Sequence, residues 1–192
     1  RASGLKLEFV LSFHACGGNV GDACNVTLPQ WTRATKVGDD VFYTDPQGDP
    51  DLEYLSLGVD DKPIFAPNGR TAIKIYSDFM LSFARAFASH LVSGVIDEIQ
   101  VGMGPAGELR YPGYQLSKWS YCGVGEFQNL DPFMLESLAG AARARGRPEW
   151  GNGAPEGAGA YNSRPNETMF FGVAQPGKSV NNFQSEYGRF FL

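Results

Sequence analysis

Two β-prone runs frame a long amphipathic stretch, and that order restricts the fold of this chain more than any other feature. Residues 5–12 (LKLEFVLS) carry Leu5, Leu7, Phe9, Val10 and Leu11, the pattern of a buried strand. Residues 94–101 (GVIDEIQV) read as a second strand. Between them, residues 71–91 repeat apolar side chains at three- and four-residue spacing (Ile73, Tyr76, Met80, Phe83, Phe87), the stripe of a helix. Gly69 and Gly94 punctuate its two ends. A strand, a helix and a second strand in that order form a βαβ unit. The strands are then parallel, and both leave the sheet on the same rim. The class is α/β.

The remaining elements are shorter. Residues 28–36 suggest a helix with Pro29 in its first turn. Residues 41–44 and 54–59 suggest a hairpin, with turn chemistry at Asp45-Pro46-Gln47-Gly48. Residues 132–145 suggest a second amphipathic helix with Asp131 as N-cap and Pro132 in the first turn. Residues 146–182 are rich in Gly, Pro and Asn and read as loop, and 187–192 as the start of a further helix. The expected organisation is therefore one unit over residues 1–192, with long loops at 13–70 and 102–131. With 192 residues the chain is long enough for a substantial core. It is too short for a closed eight-stranded barrel, which needs roughly 200 residues at minimum and typically about 250.

Composition excludes several classes. A net charge of -5 argues against a nucleic-acid surface. The Arg143-Ala144-Arg145-Gly146-Arg147 cluster reads as a solvated helix end. No stretch approaches the ~20 apolar residues that span a bilayer. Cys16, Cys24 and Cys122 are an odd number without a framework pattern, which suggests free thiols and a reducing compartment.

The chemistry is concentrated where the two strands end. After residue 101 come Gly102-Met103-Gly104-Pro105-Ala106-Gly107, then Glu108 with Arg110 and Tyr111 beside it. The glycines match a dinucleotide fingerprint, but Pro112 and Gly113 arrive too soon for the helix whose N-terminus would hold a pyrophosphate. Glu108 reads either as a salt-bridge carboxylate or as an acid/base group at a strand end. After the other strand come His14 and Asp22, separated by the glycine-rich run 17–21. If the strands are parallel neighbours, both line the same mouth as Glu108. The bland readings are a structural histidine and a plain turn. Metal binding is not expected, since His14 and Cys16 have no second pair at ligand spacing. Cys16 as a nucleophile would need a base, and His90 lies in the long helix.

The segments 14–22 (HACGGNVGD) and 104–112 (GPAGELRYP) resemble the two signature segments of the β-amylases, glycoside hydrolase family 14. The resemblance extends through 42–44 (FYT), 69–71 (GRT), 76–78 (YSD), 123–128 (GVGEFQ), 148–150 (PEW) and 187–192 (YGRFFL), nearly the whole chain. It implies a (β/α)8 TIM-barrel type fold, only part of which is represented. It implies release of maltose from the non-reducing ends of α-1,4-glucans (starch, maltooligosaccharides), with inversion. Glu108 then matches the general acid, Asp22 a substrate-binding carboxylate and His14 a sugar contact. No cofactor and no metal are expected, and the location would be intracellular, in plastid or cytoplasm.

The chain departs from the family pattern in two places. The family usually has glutamine where Ala15 stands and serine where Gly113 stands. No carboxylate matches the catalytic base; Asp97, Glu98 and Glu126 qualify by chemistry only. The fragment alone is therefore expected to be inactive. The alternative is a non-catalytic, glucan-binding or structural subunit of a larger assembly.

Overall fold

A computed structural model describes residues 4–17, 23–109, 111, 113–172 and 182–192. The βαβ unit is present. Strand β1 (Leu7–Ser12) pairs in parallel with the strand that follows the long helix, and their register runs Phe9↔Ile99, Leu11↔Val101 and Ser12↔Gly102. A hairpin of β2 (Phe42–Thr44) and β3 (Pro50–Leu55) lies between β1 and that helix in sequence. Helix α1 (Ala72–Ala86) follows, then a short α2 (Ala88–Val92) and β4 (Ile96–Gly102). Helices α3 (Pro132–Ala144) and α4 (Glu186–Phe191) come later.

Local chemistry explains the ends. Thr71 is the N-cap of α1, its hydroxyl accepting the Lys74 N–H at 3.1 Å. The helix breaks at Phe87, so the expected single helix over 71–91 is two. Its apolar stripe divides as well. Phe83 packs edge-on against Phe9 at 5.2 Å, and Tyr76 lies 4.6 Å from Phe13. Ile73 and Met80 stay exposed, because a sheet of two strands is too narrow to cover a fifteen-residue stripe.

Three expectations need correction. Residues 28–36 form only a 3-10 turn at Gln30–Thr32. The second hairpin strand is Pro50–Leu55 rather than 54–59, because the Ser56 hydroxyl accepts the Gly58 N–H and starts a 3-10 turn there. Cys16 and Cys24 are joined by a disulfide, with Cα atoms 5.7 Å apart, and only Cys122 among the described cysteines is free. Sequence separation had hidden this pairing. Backbone hydrogen bonds between Cys16 and Val26 (2.8 and 2.9 Å) fold the chain back and bring the thiols together.

The main core is built from Val41, Phe42, Leu55, Val59, Phe65, Ala72 and Tyr76, so it sits under the hairpin and α1. A second apolar cluster gathers Phe127, Phe170 and Phe191 beside α4. No helix among the described residues is long and apolar enough to cross a membrane.

Candidate active site

The parallel register sets the site. Because Ser12 pairs with Gly102, the chain leaves both strands at one rim, and the Phe13 N–H donates to the Gly102 carbonyl at 2.8 Å. His14 follows on one side and the glycine turn on the other. That turn is a 3-10 turn at Pro105–Gly107, closed by Gly107 N–H to Gly104 carbonyl (3.0 Å) and Glu108 N–H to Pro105 carbonyl (2.9 Å). Glu108 is then extended, with φ -106° and ψ 131°. Among the described residues no α-helix follows the glycines, which argues against the dinucleotide reading.

Two glycines are required by geometry. Gly104 has φ +77°, and a Cβ there would stand 2.7 Å from the Glu108 carbonyl oxygen. Gly107 has φ +78°, and its Cβ would stand 2.9 Å from His14 Nε2. The imidazole of His14 thus lies against the turn that presents Glu108. Its Nδ1 is 2.7 Å from the Ala15 carbonyl oxygen. A carbonyl only accepts, so Nδ1 carries a proton, and Nε2 lies on the turn side.

Of the three expected site residues, the structure brings His14 to the turn that carries Glu108. Glu108 itself is exposed and has an interaction partner. Asp22 lies outside the described residues. The other carboxylates considered are engaged elsewhere. Asp97 pairs with Lys6 at 2.8 Å on the surface, and Glu98 accepts from Gln100 Nε2 at 3.4 Å. Glu126 is buried and accepts from Gln47 Nε2 at 3.1 Å. Cys16 is in the disulfide and cannot serve as a nucleophile. Among the described residues no group of three or more His, Cys, Asp and Glu could hold a metal ion.

An apolar cavity of about 490 Å³ flanks the turn, lined by Pro105, Leu109 and Tyr111 together with Tyr43, Phe127 and Asn129. Burial pushes the Tyr43 phenol up to about 12, so it remains a hydrogen-bond donor throughout the physiological range.

Behind this rim lies a polar network the sequence did not announce. Asp45 is fully buried and accepts from Lys118 Nζ (2.7 Å) and from the Tyr161 hydroxyl (2.9 Å). Its other oxygen accepts the backbone N–H groups of Gln47 and Asp49 at 3.0 and 2.9 Å. Burial opposes its ionisation, but these donors together hold the carboxyl below the usual range. Tyr161 in turn accepts from Gln128, which accepts from Tyr54. The turn signature at Asp45 was visible in sequence. Its partners, 73 and 116 residues away, were not.

The family model for glycosyl hydrolase family 14 matches residues 1–192. The chain belongs to this family. It is 49% identical over 195 residues to β-amylase 1, chloroplastic, of rice (Oryza sativa subsp. japonica), covering all of this chain and 35% of that protein. It is 48% identical over 193 residues to β-amylase 5 of Arabidopsis thaliana, covering 98% and 36%. The solved catalytic domain of β-amylase from Paenibacillus polymyxa superposes with a TM-score of 0.65 at 29% identity, covering 99% of this chain and 42% of that one. The βαβ unit and its long loops are thus part of an α/β barrel of the TIM type. The chain spans about a third of the length of the curated relatives it matches.

Proposed function

We propose that these residues supply the acid half of an inverting glycosidase site that releases maltose from the non-reducing ends of α-1,4-glucans. The observation that carries this reading is the shared rim. The parallel register puts the exit of β1, with His14, against the glycine turn that presents Glu108. Membership of glycosyl hydrolase family 14 supports the same chemistry.

In this mechanism the Glu108 carboxyl gives its proton to the departing glycosidic oxygen. A second, ionised carboxylate roughly 6.5–9.5 Å away takes a proton from water, which attacks the anomeric carbon from the opposite face. His14 contributes a hydrogen bond to a sugar hydroxyl through Nε2, and Asp22 binds the sugar as a carboxylate. The base belongs to a part of the barrel outside residues 1–192, so this chain alone releases no maltose. The reading needs no cofactor. Three relatives, two from rice and one from Arabidopsis, are named as chloroplastic, which supports a plastid location. The Cys16–Cys24 disulfide removes the argument that three free thiols would have made for a reducing compartment.

The test is Glu108→Gln in the complete protein, read by reducing-end release from soluble starch and by glucan binding. Turnover should fall by about 10²–10⁴-fold, the usual contribution of a general acid, while binding is kept. Ordinary turnover in the variant would overturn the assignment. A complete protein with no turnover at all, yet normal glucan binding, would favour the non-catalytic alternative.

A further inference from the structure

The edge of the His14 imidazole fills a notch between two glycines. A Cβ on Gly107 would stand 2.9 Å from its Nε2 and 3.3 Å from its Cδ2, and a Cβ on Gly102 would stand 3.6 Å from Nε2. The two glycines also lie against each other, since that Gly102 Cβ would be 3.4 Å from the Gly107 Cα. The ring is held from behind. Its Nδ1 donates to the Ala15 carbonyl at 2.7 Å, and the Ala15 N–H donates to the Glu53 carbonyl of β3 at 2.6 Å. The imidazole is thus a wedge with a fixed back, pressed on the turn between Gly102 and Glu108.

That turn depends on support from outside. Ala106 is left-handed (φ 53°, ψ 22°) although it carries a Cβ. Gly104 and Gly107 are left-handed too, and a glycine reaches several other conformations at little cost. A backbone in so sparsely populated a region keeps its shape only where its surroundings impose it. The side chain that meets Gly107 is His14, and the residue after Gly107 is Glu108.

We propose that His14 is a positioning residue for the Glu108 carboxyl. Its imidazole blocks Gly107 from moving toward the end of β1, and so fixes where the next side chain stands. This role rests on the reading of Glu108 as the acid and is additional to contact with a sugar. It creates a coupling between positions 14 and 107, which a sugar contact alone does not.

The test measures kcat and KM separately on soluble starch, in the complete protein, for Gly107→Ala, His14→Ala and the double variant. His14→Ala should lower kcat by about tenfold or more, because a misplaced acid costs turnover rather than binding. Gly107→Ala should lower kcat by about tenfold while the imidazole is present, and by about threefold or less in the His14→Ala background, where the new methyl enters the emptied notch. Backbone strain at Gly107 is common to both backgrounds and cancels in the cycle. Equal losses in the two backgrounds would overturn the positioning role. Should Gly107→Ala not fold, His14→Phe decides: a ring without hydrogen-bonding nitrogens should regain most of the kcat lost in His14→Ala while KM stays raised, and a kcat equal to that of His14→Ala overturns the role. Glu108→Gln, run alongside, reports on the acid by itself. If it keeps turnover the acid reading fails, whereas lost turnover without coupling between positions 14 and 107 removes the positioning role alone.

Discussion

The parallel pair and the loop layer differ in how much of their own packing they provide. In β1 and β4 most positions face solvent: Val10 is 58% exposed and Val101 46%. In the hairpin layer Val41, Phe42, Tyr54, Phe65 and Asp45 are almost fully buried. The segments that would be called insertions on a barrel are here the best-packed part. Barrel strands find their neighbours in other strands, whereas the loops that shape the site find theirs in one another. The site-bearing rim is thus tied to this layer, since Phe13 and Met103 pack against its core.

That contrast can be broken by substitution, followed by urea unfolding of the chain. The largest effect is expected at Phe65→Ala, which empties the centre of the loop-layer core and should cost about 3–5 kcal/mol. A cost below 1 kcal/mol would mean the layer is not a core at all. Asp45→Asn comes next, since it strips charge from a fully buried carboxylate whose donors are Lys118 and Tyr161; about 2 kcal/mol or more is expected at neutral pH.

The same residue gives a pH test. Its folded-state pKa lies below the unfolded value near 4, so its stabilisation is present above that pH and lost as pH falls through the folded value. The unaltered chain should lose more stability than Asp45→Asn between pH 5 and pH 3. Equal losses would exclude Asp45 as a source of acid sensitivity. Gly107→Ala should cost about 1–2 kcal/mol, from the left-handed backbone and the approach to His14 Nε2. Val10→Thr, on the open strand, should stay within about 0.5 kcal/mol in this chain. A large effect there would show that the strands already carry packing.

Sequence reading found the local turns better than it found the core. The βαβ order, the helix cap at Asp131, and the glycine turn before Glu108 were legible because they rest on neighbours within a few residues. Asp131 shows the limit. Its capping bonds to Phe133 and Met134 follow from local pattern, but the Ser56 hydroxyl that also donates to it is 75 residues away. The Cys16–Cys24 pairing depends in the same way on which backbones meet, and nothing in composition or spacing reports that. The apolar stripe of α1 was legible as a pattern, but periodicity describes a face without saying how much lies opposite it.

The Cys16–Cys24 bond has a practical consequence. A protease that cuts once between those two positions liberates nothing, since both products remain covalently attached and run as one species until a thiol reductant is added. Residues 16 and 24 are therefore held together by a bond that thermal motion does not open.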